Sequence, residues 1–308
     1  MQTLTLTPNE AFERYQVIRS RLPMLPEFDS GLGRMKTANH LGDLVSFYDV
    51  FVFDAFGVLN VGDVAIAGAR DRIDALQRAG KRLFVLTNAA SYSFPSVVVK
   101  FQKLGFAFGQ DELISSRDVC ETQMLDMDPA MTWGVIAPSN FNPTEVNFQC
   151  SVLRDDQSQY DNVDGFIFLS TECWQNARQS LLISSLQRRS RPVIVANPDL
   201  VAPREVGLTL EPGFYAHDLL DQLPDLDLTF HGKPFASVYD RVEQLIGDKL
   251  NRERIAMMGD SLHTDIWGAS VRGWGSVLVT DHGFLKGQNL EQAIQDSGTR
   301  PNWIVPSI

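Results

Sequence analysis

Cysteine is scarce in this chain. Cys120, Cys150 and Cys173 are the only three in 308 residues, and they make no CxxC pair and no even set. A disulfide framework is therefore not expected, and a reducing, cytoplasmic setting is the simplest expectation. Long apolar runs are missing too: no uninterrupted stretch approaches the ~20 residues a membrane helix needs. The opening Met1-Gln2-Thr3-Leu4-Thr5 has no basic segment followed by a long apolar one, so no secretory leader is expected. Basic blocks are absent, and Asp+Glu 38 against Lys+Arg 27 leaves a formal charge of −11. Neither nucleic acid nor an anionic membrane is an expected partner. Gly57 and Gly62 make no dinucleotide fingerprint. Ser184, Ser185 and Ser190 lack a nucleophile elbow. His40, His217, His231 and His282 lack metal-ligand spacing.

What remains is an ordinary globular composition, 44% hydrophobic and 21% charged, long enough for roughly two domains. Residues 1 to about 45 show some helical periodicity (Ala11, Phe12, Tyr15, Ile18), then Pro and Gly punctuation. They read as an N-terminal arm without visible chemistry. From Val50 onward, buried-strand runs alternate with helical stripes. Val50–Phe53 and Leu83–Leu86 flank a stripe of Ile73, Leu76 and Ala79 stopped by Gly80. Val97, Val98, Phe101 and Leu104 form another, stopped by Gly105. Such alternation predicts an α/β fold, a doubly wound parallel sheet with helices on both faces. Further strands are expected at Gly134–Ile136, Gly165–Leu169, Val193–Ala196, Ile255–Met258, Ser276–Val279 and Trp303–Val305. Polar motifs follow strands at both ends of the chain but not in its middle, which suggests a core interrupted by an inserted domain.

Four polar patches carry the chemistry: Asp54 to Gly62, Leu86-Thr87-Asn88, His231-Gly232-Lys233-Pro234, and Met258-Gly259-Asp260-Ser261-Leu262-His263-Thr264-Asp265. In an open parallel sheet, ligands bind at the carboxyl ends of strands, where Asp54 stands. Taken singly, each patch has a plainer reading. Asp54 is a turn former, Thr87-Asn88 a loop or N-cap, and Lys233-Pro234 a turn opening a helix. His263, which could approach the site, reads as an exposed loop residue, and Trp174, Trp267 and Trp274 as core or interface. Together the patches suit phosphoryl transfer, which needs an oxygen nucleophile, donors for the phosphoryl oxygens and a cation. Asp54 would attack, Thr87 and Lys233 would hold phosphoryl oxygens, and Asp54 with Asp260 would share a hard ion such as magnesium.

The set resembles the haloacid dehalogenase-like hydrolase superfamily, in its branch of NagD-like sugar- and nitrophenyl-phosphate phosphatases. The matching strings are Asp54-x-x-Gly57-Val58-Leu59, Leu86-Thr87-Asn88, Gly232-Lys233-Pro234 and Gly259-Asp260-Ser261-Leu262-x-Thr264-Asp265-Ile266. Ala196-Asn197-Pro198-Asp199 resembles a further string of that branch. The resemblance implies a Rossmann-like core of residues 1–112 and 207–308 (arm 1–45) and an inserted α/β cap of residues 113–206. It implies Asp54 as phosphoryl acceptor and Mg2+ ligand, and Asp260 and the backbone carbonyl of Phe56 as further ligands. Asp265 would be a supporting carboxylate, Thr87 and Asn88 phosphate-binding, and Lys233 the partner of Asp54 and of the phosphoryl group. The substrate class would be a small phosphorylated metabolite. A homodimer is one expected assembly, since capped members of the branch often pair through the cap.

Phe56 departs from the pattern. Related phosphatases carry a second aspartate there, which protonates the leaving group and then activates water, help typically amounting to ~10²–10⁴ in rate. Three readings follow: a phosphatase for good leaving groups or one borrowing an acid from the cap or Asp63; a non-catalytic phosphometabolite-binding relative; or an enzyme cleaving another bond. For the last, Asp54-Ala55-Phe56-Gly57 is similar to the Asp-Ala-Tyr-Gly string of haloacid dehalogenases. Those enzymes use no metal, however, and lack the paired carboxylates retained here.

Overall fold

The computed structural model describes residues 5–26, 35–204, 207–247 and 251–308. Residues 1–4 and 27–34 of the expected arm lie outside the described residues. The chain divides into two compact units, one of residues 12–87, 95–114 and 233–308, the other of residues through Ala11, 88–94 and 115–232.

The first unit is built on a seven-stranded sheet. Its order is Lys36–Thr37, Trp303–Val305, Gly275–Val279, Ile255–Gly259, Val50–Phe53, Arg82–Thr87, Leu113–Ser115. Neighbouring strands from Lys36–Thr37 across to Arg82–Thr87 pair in parallel. The uninterrupted Val50-Phe51-Val52-Phe53 run has its reason here. It is flanked on both sides within the sheet and all four residues are buried, so no alternate position can be polar. Helices Ala69–Arg78 and Phe94–Lys103 end where Gly80 and Gly105 adopt positive φ, as their sequence stops predict.

The second unit holds a five-stranded sheet in the order Leu228–Phe230, Val193–Val195, Gly165–Phe168, Thr132–Ile136, Gln149–Val152, parallel throughout. A three-stranded antiparallel ribbon joins Thr5–Leu6, Gly207–Leu210 and Val201–Arg204. The expected boundaries shift accordingly. Residues 207–232, assigned above to the core, belong with the insert, because Leu228–Phe230 is an edge strand of its sheet, registered on Val193–Val195. The return to the core falls at Lys233, inside the third motif. Residues 88–94 also group with the insert, and so does the arm through Ala11. A three-residue edge strand that is only partly buried carries too little hydrophobic pattern to mark its sheet in sequence. Among the described residues, no helix is long and apolar enough to cross a membrane.

Candidate active site

The site lies at the carboxyl edge of the seven-stranded sheet. Pairing of Phe53 with Met258 and Val85 sets Asp54 beside Gly259 on one side and Leu86 on the other. Asp54 donates its own N–H to the Met258 carbonyl at 2.8 Å, which pins the residue as the strand ends. Asp260 thus follows one neighbouring strand, and Thr87, buried, closes the other. The chain leaves Asp54 by a tight turn in which Leu59 and Asn60 donate to the Ala55 carbonyl at 2.8 and 3.0 Å. Gly57 sits in that turn at φ 75°, and a Cβ there would collide with the Asp260 carboxylate.

Lys233 holds the cluster together. Its Nζ donates to Asp54 Oδ1 and to Asp265 Oδ1, both at 2.6 Å, and the residue is only 2% exposed. Asp265, fully buried, also accepts from the Ser261 N–H at 3.2 Å. Asp260 accepts from the Phe284 N–H at 2.8 Å. Oxygens of Asp54, Asp260 and Asp265 all lie within 4.8 Å of one another.

Three clustered carboxylates, two of them bonded to one ammonium, leave a deficit of positive charge. Burial works against the Lys233 charge, yet Asp265 and Asp54 outweigh it and hold the group protonated above its ordinary range. Asp260 is driven well above the usual carboxylate range, by burial first and then by the charges of Asp54 and Asp265. Burial pushes Asp265 up to about 7, with Lys233 pulling down and Asp54 pushing up. A divalent cation relieves this repulsion, and an all-oxygen donor set suits a hard one. The residues present therefore fit magnesium.

Residues 51–142 match the family model described as haloacid dehalogenase-like hydrolase, and residues 230–308 match a second, HAD-hydrolase-like model. The chain belongs to the haloacid dehalogenase-like hydrolases. A structure of a possible sugar phosphatase of this superfamily from Cytophaga hutchinsonii is similar, with a TM-score of 0.78 and 25% identity, covering 89% of this chain and 98% of that one. The acid sugar phosphatase of Staphylococcus aureus is 24% identical over 233 residues, 75% of this chain and 86% of that protein. The NipSnap-named protein K02D10.1 of Caenorhabditis elegans is 28% identical over 254 residues, 75% of this chain; the match spans about half of that protein, 48%.

Within this haloacid dehalogenase-like site, the structure gathers Asp54, Lys233, Asp260 and Asp265 and sets Thr87 on the same sheet edge. Asn88 groups with the insert, where its amide donates to Asp199 Oδ1 at 2.9 Å. Asp199 in turn donates its N–H to Asn197 Oδ1 at 2.9 Å, and Asn197 donates to Glu211 at 3.2 Å. The Ala196–Asp199 string is thus a hydrogen-bonded turn. Phe56 is half-buried, in a bridge with Asn60, and Asp63 is exposed at the following hairpin.

His263, expected on an exposed loop, is 1% exposed. The segment after Asp260 turns as a π-helical stretch, Leu262–Ile266, and passes into the helix Trp267–Arg272. That turn brings the ring inward, and burial, with Arg19 adding, lowers the His263 pKa to about 3. Gly283 also escaped the sequence reading. A Cβ there would overlap Asp260, so the loop carrying the Phe284 N–H can approach the carboxylate only with glycine at this position. Nothing in the residues around Gly283 announces this, because the approach is made between segments distant in sequence.

Proposed function

We propose that the chain is a magnesium-dependent phosphatase working through an aspartyl-phosphate on a small phosphorylated metabolite, of the sugar-phosphate class that relatives' names suggest. The observation that carries this is the bridging of Asp54 and Asp265 by one buried ammonium at a parallel-sheet edge. An Asp54 oxygen attacks phosphorus, and the ester P–O bond breaks as the new O–P bond forms. Water then cleaves the acyl-phosphate, releasing inorganic phosphate and restoring Asp54. Lys233 orients the nucleophile and, with Thr87, receives the phosphoryl oxygens. Asp265 fixes Lys233, and is itself fixed by the Ser261 N–H. Asp54, Asp260 and the Phe56 carbonyl would hold magnesium, which when bound offsets phosphoryl charge.

The inserted unit is read as the cap, carrying selectivity for the leaving group. The three free cysteines and the net charge of −11 support a cytoplasmic, small-molecule role without nucleic acid or membrane. Pairing into a homodimer is compatible with this role.

Phenylalanine at position 56 supplies no proton, so the leaving group must depart by itself. With magnesium, aryl phosphates of acidic phenols are expected to turn over at least ~10²-fold faster than alkyl phosphates, the scale of general acid–base help. A leaving-group series in kcat/KM checks this. Fast alkyl phosphate hydrolysis, independent of leaving-group pKa, would show that another residue supplies the proton. Absence of turnover for every ester, with phosphate still bound, would sink the enzymatic reading in favour of a binding relative.

Gly283→Ala tests the carboxylate pair from another side. The added methyl displaces Asp260 or the Phe284 N–H, and a displacement near 1 Å at such a site costs up to ~10² in effectiveness. Titration with Mn2+ is expected to show at least ~10-fold weaker binding. Unaltered affinity would remove Asp260 from the ligand set.

A further inference from the structure

The fourth-motif segment does not stand on the sheet alone. The Tyr15 ring stacks on His263, with centroids 4.7 Å apart and planes 9° from parallel. Phe12 meets the same imidazole edge-on at 5.1 Å. The Gln16 side-chain amide lies in hydrogen-bond contact with His263 Nε2 at 3.1 Å. Nδ1 of the same ring is buried and has no hydrogen-bond partner among the described residues. Tyr15 also meets Phe284 edge-on at 6.2 Å, and Phe284 is the residue whose N–H holds Asp260. Further along, Trp267 Nε1 donates to the Pro23 carbonyl at 2.8 Å, while Phe12 packs on the cluster of Leu262, Ile266 and Leu285.

Each contact in this chain reaches a group adjoining Asp260 or Asp265. His263 lies between the two carboxylates in sequence, and Phe284 touches the first of them. A single ring, Tyr15, braces both. A buried histidine with an unpartnered Nδ1 is costly to keep, and apolar packing alone would favour a phenylalanine there. The imidazole instead makes a hydrogen bond to Gln16 that fixes its rotation.

We infer that residues 12–23 are a positioning element for the active site, in which Tyr15 and Gln16 hold His263 and Phe284 so that Asp260 and Asp265 keep their spacing. The inference rests on the proposed carboxylate site, and it assigns to the arm a role its sequence did not display.

The test is divalent-ion binding by the full chain, with Mn2+ titrated by electron paramagnetic resonance so that no turnover is required, alongside magnesium dependence of aryl phosphate hydrolysis. Tyr15→Ala is expected to weaken Mn2+ at least ~10-fold and to raise the magnesium needed for half-maximal rate in parallel, with KM for the ester moving less. Tyr15→Phe, which keeps the ring, is expected to restore both. Gln16→Ala removes only the hydrogen bond and is expected to give a smaller shift, about threefold, in the same direction; it decides the matter if Tyr15→Ala does not fold. Folded variants with lowered Tm but wild-type Mn2+ affinity would overturn the inference, leaving the arm as packing alone. A wild type that binds Mn2+ but hydrolyses no ester leaves this test intact while failing the phosphatase reading. A wild type that binds no Mn2+ overturns both.

Discussion

Asp54→Asn is expected to reduce aryl phosphate turnover by ~10³-fold or more while the fold and phosphate binding survive. The amide is nearly isosteric with the carboxylate, but its oxygen is no nucleophile towards phosphorus, so the step that forms the acyl-phosphate is lost. The fold survives because Lys233 keeps Asp265 at 2.6 Å, and the asparagine carbonyl still offers an acceptor to the ammonium. Removing one of three carboxylates also lowers the repulsion that raises Asp260. Binding of inorganic phosphate is therefore expected to hold or tighten, since one negative charge facing the anion is gone. Initial rates, an unfolding melt and calorimetric phosphate titration check the three parts. Turnover within tenfold of wild type would eliminate Asp54 as the nucleophile. Loss of phosphate binding along with turnover would mean that Asp54 shapes the pocket rather than reacting in it.

How much of this site the sequence discloses depends on how local each contact is. Val50–Phe53 followed by Asp54 is legible because burial on both faces leaves an unbroken apolar run, and the strand's end is marked by its first charged residue. Asp260 and Asp265 are legible for the same reason, after Ile255–Gly259. Taken alone Lys233 is a turn lysine before a helix, and its place in the site is legible only from the set of four motifs. Its two carboxylate partners lie 179 and 32 residues away, and no periodicity reports them. Asn88 shows the converse. It adjoins Thr87 in the chain, yet its amide turns to Asp199, 111 residues on. The boundary at Lys233 was hidden because Leu228–Phe230 is short and half-exposed, so its sheet partner is set by tertiary pairing instead of pattern. His263 reads as a loop residue until the arm is seen covering it. Gly283 is invisible for a related reason: a missing side chain matters only where another segment comes close.

The largest stability effect is expected at Lys233. Lys233→Met keeps the stem's volume and removes the charge, leaving Asp54, Asp260 and Asp265 in mutual repulsion without their common cation. Breaking a buried ion pair from one side costs about 3–5 kcal/mol, because the orphaned carboxylates stay desolvated; Asp265 is fully buried. A Tm lowered by roughly 6 °C or more is the corresponding reading. Activity is expected to fall with it, since both the orientation of Asp54 and a donor to the phosphoryl oxygens are lost. The second substitution separates these two roles. Adding Asp265→Asn removes the carboxylate left without a partner, and the amide oxygen can still accept the Ser261 N–H. The double variant is therefore expected to recover part of the lost stability, the two changes combining to less than their sum, and none of the lost activity. Additive losses in Tm would show that Lys233 and Asp265 are not energetically coupled, and would contradict the bridging geometry. A single variant of wild-type stability and rate would remove Lys233 from the site altogether.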